Sequence, residues 1–332
     1  MAIDGHGRGG GDGGGRPHRR QGGALAPAEV ACAAAALAAG NLAIIPTETV
    51  YGLAADAANA AAVARLYEAK GRPRFNPLIA HVADLATARR LARLDKRAEQ
   101  LAAAFWPGPL TLVAPVNDPA TVCDLARAGL DTVAVRAPAH PLAQALLAGF
   151  GRAIVAPSAN RSGRPSPTTF ADAIAETGAA ASLAVDGGPC AIGLESTVVS
   201  LLDGPARLLR PGAVTRAEIE ALIGPLADAE ADAARSPGRM TRHYAPDAPL
   251  RLDADGPQPG EVFLAFGSAP AGADTIALSA AGDLAEAAAN LFSALRAADA
   301  RHPVVIAVAP IPETGLGEAI NDRLRRAAGY VG

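Results

Sequence analysis

The sequence is short of several things that would point to common folds and chemistries. Its 332 residues include three cysteines, Cys32, Cys123 and Cys190. That odd number, with no C-x-x-C pair, supports neither a disulfide framework nor a cysteine zinc site, and a reducing compartment fits best. Aromatic residues make up only 4%, so an interior has to be built from Ala, Val, Leu and Ile, and the 50% apolar content supplies enough of them. No run approaches the roughly 18 uninterrupted apolar residues that span a bilayer, and no apolar signal core follows the first basic residues. A cytoplasmic protein without membrane contact is expected. Lysine is scarce as well: Lys70 and Lys96 stand against twenty-eight arginines. Neither lysine follows glycine, which excludes a Walker-type P-loop. There is no G-x-S-x-G, and the six histidines have no metal-ligand spacing. Gly315-Leu316-Gly317 lacks the third glycine of a dinucleotide fingerprint. Thirty basic and thirty-three acidic residues give a formal charge of −3, which argues against a chain-wide cationic surface for nucleic acid but leaves local patches open.

Along the chain, residues 1–23 hold ten glycines with Arg8, Arg16, Arg19 and Arg20. Such a stretch has nothing to bury, so a flexible tail is expected, either a dispensable extension or a weak RNA-sampling arm. Residues 24–223 alternate Ala-rich helical runs with short β-rich runs bounded by Gly, Pro or Asn, the pattern of an α/β domain. Helices are expected at 27–39, 58–69, 95–104, 139–148, 168–176 and 215–223. Strands are expected at 42–45, 78–82, 110–113, 132–135, 153–156, 197–201 and 207–209. Several strands are separated by loops too short for a helix, which predicts a twisted, mixed parallel and antiparallel sheet. Residues 224–249 read as a linker through an acidic Ala-rich stretch and Ser236-Pro237-Gly238. Residues 250–332 read as a small Rossmann-like α/β/α domain, with strands at 261–266, 275–278 and 304–308 and helices near 282–299 and 317–328.

The polar clusters fall where strands end. Pro46-Thr47-Glu48-Thr49-Val50-Tyr51-Gly52 follows a buried strand, where side chains can face a cleft or simply cap a turn. Lys70-Gly71-Arg72-Pro73-Arg74-Phe75-Asn76-Pro77 carries three cations in five residues on a backbone stiffened by proline. An Arg fork and a Lys point charge can divide a polyanion between them, although charged loops are often only solvated. His81 ends a strand and suits either a structural role or contact with a carboxylate or amine. Thr132 and Arg136 share one strand face, as a ligand pair or as ordinary cross-strand neighbours. Ala156-Pro157-Ser158-Ala159-Asn160-Arg161-Ser162-Gly163-Arg164-Pro165-Ser166 is rich in hydroxyls and backbone donors that can cradle phosphate. Gly193-Leu194-Glu195-Ser196-Thr197 precedes a strand, and Leu209-Arg210-Pro211-Gly212 ends one.

Taken in order from Ile44 to Arg210, these clusters resemble the YrdC-like threonylcarbamoyl-AMP synthases. The segment from Asp283 to Phe292, with Gly315-Leu316-Gly317 and Asn321-Asp322-Arg323-Leu324, resembles the accessory domain of their two-domain long form. The resemblance implies that L-threonine, bicarbonate or carbon dioxide, and ATP give threonylcarbamoyl-AMP and pyrophosphate. It implies Mg²⁺ arriving with ATP and no protein metal site. The partners implied are the downstream tRNA-modifying transferase machinery and a transient tRNA contact. Lys70, Arg72, Ser158 and Asn160 correspond to the family's Lys-x-Arg and Ser-x-Asn catalytic elements. Arg72, Asn76, Thr132, Ser158, Ser166 and Arg210 match positions at ATP, and Thr49, His81, Arg136, Ala156 and Ser196 match positions around threonine. Tyr244, in His243-Tyr244-Ala245-Pro246, matches a linker tyrosine that folds over the nucleotide. The glycine-rich start departs from the family pattern, as does Ser200, where Asp is more usual. Two other readings compete: a double-stranded RNA or tRNA binding module, and a carbamoyltransferase relative that uses carbamoyl phosphate.

Overall fold

The computed structural model describes residues 27–229, 243–269 and 274–330, so the glycine-rich tail and part of the expected linker lie outside the described residues. The chain opens with α1 (Pro27–Ala38), β1 (Ala43–Ile45), β2 (Gly52–Asp56), α2 (Ala60–Lys70) and β3 (Ile79–His81). It continues through α3 (Leu85–Leu91), α4 (Lys96–Phe105), β4 (Leu110–Pro115), α5 (Asp124–Arg127), β5 (Thr132–Arg136), α6 (Pro141–Phe150) and β6 (Ile154–Val155). Then come α7 (Phe170–Thr177), β7 (Leu183–Ala184), β8 (Thr197–Ser200), β9 (Arg207–Arg210), α8 (Arg216–Ile223) and β10 (Ala227–Asp228). The remainder comprises β11 (Leu250–Arg251), β12 (Glu261–Phe266), β13 (Thr275–Ser279), α9 (Leu284–Asp299), β14 (Val305–Val308) and α10 (Leu316–Ala328).

Local chemistry sets these boundaries. Asn59, Asp95 and Asp283 each accept a backbone N–H at the start of α2, α4 and α9, and Thr215 and Glu218 form a reciprocal capping box on α8. Gly71, in the left-handed region at φ 59°, closes α2 by donating to Tyr67 and Glu68 carbonyls. Strand β2, helix α3, the one-turn α5 and the two-residue strands β7, β10 and β11 were not anticipated. Gly52-Leu53-Ala54-Ala55-Asp56 has almost no β-branched character, yet it is a fully buried strand because it lies between β1 and β6, and both pairings are antiparallel. Helix α3 is signalled only by Asp84, which accepts from Thr87 N at 2.7 Å.

The first sheet runs β10-β9-β8-β4-β5-β3-β6-β2-β1-β7. It mixes parallel pairs such as β3 with β5 and β4 with β8 with antiparallel pairs such as β4 with β5, as the short loops predict. The second sheet, β11-β14-β12-β13, is wholly parallel. Alternate β12 residues face opposite ways. Val262 and Leu264 join the apolar stripe of α9 (Leu291, Phe292, Leu295), while Phe263 and Ala265 pack with Ala307 and Ala309. The α9 core also takes in Val50 and Leu194, which flank the polar clusters of the first part, together with Tyr244. One apolar cluster therefore bridges the two sheets beside those clusters. Among the described residues no helix is long and apolar enough to cross a membrane.

Candidate active site

Three loops meet at one cavity. Its wall includes Thr49, Arg72, His81, Arg136, Ala156, Ser158, Ser196, Arg210 and Tyr244, nine of the positions singled out in the sequence. Glu195 and His243 also line it. About 50 Å³ is left inside, well under the ~300 Å³ at which small-molecule pockets usually begin. His243 and Tyr244, both buried, form part of its wall.

One end of the cavity is built on Arg136. From the end of β5 its guanidinium donates to Glu48 Oε1 at 2.6 Å, Thr49 Oγ1 at 2.9 Å and the Gly108 carbonyl at 3.2 Å. Thr49 Oγ1 also bonds Thr47 Oγ1 at 2.8 Å, which fixes the turn after β1. Glu48 Oε2 is buried and has no hydrogen-bond partner. His81 sits one strand away, in register with Arg136. Its Nδ1 lies 3.1 Å from the Ile79 carbonyl. A carbonyl can only accept, so Nδ1 carries the proton and Nε2 presents a lone pair. Burial, reinforced by the Arg136 charge, pushes the His81 pKa down to about 3. The imidazole is neutral at any ordinary pH.

The other end gathers the cation loop and the hydroxyl-rich loop. Arg72 is held by its own loop, with Nε 3.4 Å from the Asn76 carbonyl and Nη2 3.2 Å from that of Pro77. Tyr67 Oη anchors the same loop at the Asn76 carbonyl, 2.8 Å away. Burial pushes the Arg72 pKa down to about 10, so it stays cationic. Arg210 donates to the Ser196 carbonyl from Nε at 3.0 Å and Nη2 at 2.9 Å, and to Ser196 Oγ at 3.2 Å. Ser196 Oγ in turn bonds Thr111 Oγ1 at 2.7 Å.

Five of the singled-out residues stand outside the wall. The Lys70 ammonium is buried and donates to the carbonyls of Ser158 and Asn160, so it ties the two loops together from beneath. Burial, then the Arg72 charge, lowers its pKa. Asn160 holds the Arg161 and Arg164 carbonyls at 2.7 and 2.9 Å, and the Oδ1 atoms of Asn160 and Asn76 are buried without a partner. Ser166 Oγ donates to Glu195. Thr132 opens β5 opposite Pro115, about 13 Å along the strand from Arg136. Sequence reasoning passed over Glu48 and Glu195 as site residues, and it passed over Arg323, whose Nε donates to Glu195 Oε2 at 2.9 Å. Both carboxylates stand inside quoted motifs, but nothing in the sequence links Glu195 to an arginine 128 positions away.

A cavity walled by Arg72, Arg136 and Arg210, with the hydroxyls of Thr49, Ser158 and Ser196, suits a ligand bearing both a carboxylate and phosphates. Among the described residues no group of three or more His, Cys, Asp and Glu side chains is placed to hold a metal ion.

The Sua5/YciO/YrdC family model, described as telomere recombination, matches residues 35–212. The model for the C-terminal domain of threonylcarbamoyl-AMP synthase matches residues 214–329. Threonylcarbamoyl-AMP synthase of Pyrococcus abyssi is 41% identical over 326 residues, covering 91% of this chain and 94% of that protein. The Bacillus subtilis enzyme of the same name is 41% identical over 324 residues, covering 91% and 93%. That of Chromohalobacter salexigens aligns over 176 residues at 39% identity, covering 53% of this chain but 94% of its own length. The crystal structure of P. abyssi Sua5 complexed with L-threonine superposes at a TM-score of 0.86 and 39% identity, over 93% of this chain and 97% of that one. The chain thus belongs to the Sua5/YrdC family of threonylcarbamoyl-AMP synthases, in its two-domain form.

Proposed function

We propose that this protein joins L-threonine, carbon dioxide (drawn from bicarbonate) and ATP into threonylcarbamoyl-AMP with release of pyrophosphate, to supply threonylcarbamoyl modification of adenosine in tRNA. The observation that carries the reading is a single cavity whose wall holds Arg136, bonded to Thr49, together with Arg72 and Arg210. The P. abyssi relative, solved with L-threonine, supports threonine as the amino acid.

Arg136 binds the threonine carboxylate, for which Glu48 Oε1 stands as the present counterpart. The neutral His81 Nε2 accepts from the threonine hydroxyl or amine, and the backbone at Ala156 and Ser196, which Arg210 holds, complete the threonine contacts. The free amine adds to carbon dioxide, forming a C–N bond and losing a proton to give the carbamate. A carbamate oxygen then forms the bond to the α-phosphorus while the bond to pyrophosphate breaks. No protein nucleophile is needed, so positioning and charge stabilisation carry the rate. Arg72 and Arg210 hold the triphosphate with the Ser158 hydroxyl, while Asn76, Ser166 and Thr132, which stand outside the wall, shape the loops and the strand beside the nucleotide. Lys70 and Asn160 keep the hydroxyl loop in register beneath it. A magnesium ion fits this donor set as a passenger on the phosphates rather than on a carboxylate cage, where it would neutralise their charge. With about 50 Å³ left between Tyr244, His243 and the rest of the wall, ATP enters only when part of that wall moves. Bicarbonate supply and hand-over to a transferase that acts on tRNA place the work in the cytoplasm.

Pyrophosphate release by the purified protein, measured with and without L-threonine and bicarbonate, tests the proposal. Release is expected only when both are present with ATP. Release indifferent to threonine, or driven by carbamoyl phosphate, overturns it.

A further inference from the structure

A carboxylate in the wall of a polyanion site is unexpected, and Glu195 is such a group. It is buried, lines the cavity with Arg72 and Arg210, and accepts from Ser166 through Oε1. Its charge is balanced from elsewhere in the fold. Arg323, on α10 of the second sheet's domain, has a fully buried side chain and donates from Nε to Glu195 Oε2 at 2.9 Å. Its Nη1 donates to the Pro211 carbonyl at 2.9 Å, the residue after Arg210, and to Asp322 at 2.7 Å. The guanidinium also lies 5.4 Å from the centre of the Tyr244 ring, which packs on Phe292 of α9 at 5.4 Å. A single side chain thus reaches the carboxylate that accepts from Ser166, the backbone behind Arg210 and an aromatic ring of the cavity wall.

Resting on the reading of the cavity as an ATP site, we propose that Arg323 is a positioning residue for the nucleotide: by balancing Glu195 it leaves Arg210 for phosphate, and it makes ATP affinity depend on docking of the C-terminal domain. Burial disfavours the Glu195 charge, but Arg323, Arg210 and Ser166 more than offset this and hold the carboxyl below its usual range. Without Arg323 the same carboxylate draws on Arg210 and repels the triphosphate.

The test is a double-variant cycle on the full chain, reading the ATP dissociation constant by calorimetry with Mg²⁺ and without threonine, and the threonine constant separately. Arg323→Met is expected to weaken ATP tenfold or more while threonine binding moves less than twofold. Adding Glu195→Gln to Arg323→Met should recover most of that loss, because the unbalanced charge is gone. Glu195→Gln alone should tighten ATP by about threefold, since Gln still accepts from Ser166 and the Arg323 charge is no longer spent. This single variant keeps the proposal open to refutation should Arg323→Met fail to fold. A double variant no tighter than Arg323→Met, equal losses for ATP and threonine, or a weakened Glu195→Gln would each overturn the proposal. Wild-type protein that binds ATP but releases no threonine-dependent pyrophosphate would sink the proposed reaction and leave the cycle to judge Arg323. Wild-type protein that binds no ATP would overturn both.

Discussion

Arg136 and Glu48 form a pair whose side chains are 5% and 11% exposed, 2.6 Å apart, so the effect of cutting it depends on which partner remains. Arg136→Ala leaves a buried carboxylate unpaired and is expected to cost about 3–5 kcal/mol of stability. It should also abolish threonine-dependent turnover. Arg136→Met with Glu48→Gln removes both charges, so thermal unfolding should return toward wild type while threonine use does not. Recovery of both properties would mean that Arg136 holds only the fold. Two buried histidines make a second prediction at this scale. Burial holds His81 and His243 at about 3, against an ordinary 6.5. Between those values the unfolded chain binds protons that the folded protein does not. Their contribution to stability is therefore whole above about pH 6.5 and lost as pH falls, roughly 2 kcal/mol for each at pH 5. The melting temperature should drop between pH 7 and pH 5, with a shallower slope in His81→Gln. The acid limb of kcat/KM should not move in that variant, because neutral His81 does not titrate there.

At the scale of elements, the loop from Ile192 to Ser196 is where the two sheets' domains meet, and Gly193 permits the approach. It has φ 75°, and a Cβ there would lie 2.5 Å from Ala289 Cα and its carbonyl oxygen on α9. Gly193→Ala combines left-handed backbone strain of about 1–2 kcal/mol with a backbone collision that only a shift of α9 relieves. We expect a loss of about 2–4 kcal/mol in chemical denaturation and a loss of ATP affinity, since Glu195 is two residues on. An alanine variant as stable as wild type would show that α9 docks more loosely than this. The same loop marks how far the sequence could be read. Helices with side-chain caps and apolar stripes, such as 284–299, and β-branched strands such as 197–200 were legible because local chemistry specifies them. Strand 52–56 and the two-residue strands 183–184 and 227–228 were not, since neighbouring strands impose their conformation. Within the site, residues on contiguous motifs such as Thr49, Arg72 and Ser158 were visible. The burial of Lys70 under the loop and the reach of Arg323 from α10 were not, because each depends on contacts 88 or more residues apart.

For the molecule as a whole, the question is what the C-terminal domain does for the catalytic sheet. A relative covered over 94% of its length by only 53% of this chain has no counterpart to much of that domain, so the catalytic sheet of the family can exist without it. In this chain the two are bound together chemically. Val50 and Leu194, beside the site, are buried in the core formed with α9, and Glu195 is balanced from α10. Arg296 of α9 adds a 2.9 Å ion pair to Glu176 and a bond to the Pro165 carbonyl. Cutting the chain after Gly224 would expose two apolar side chains worth about 1.5–3 kcal/mol each and leave a buried carboxylate unpaired for about 3–5 kcal/mol more. That sum is comparable with the ~5–15 kcal/mol that holds a protein folded. The truncated protein is therefore expected to melt far below the full chain, and to regain stability when Leu194→Ser and Glu195→Gln remove the liabilities that truncation creates. A truncated protein that melts with the full chain and binds ATP equally well would mean the C-terminal domain is carried rather than used.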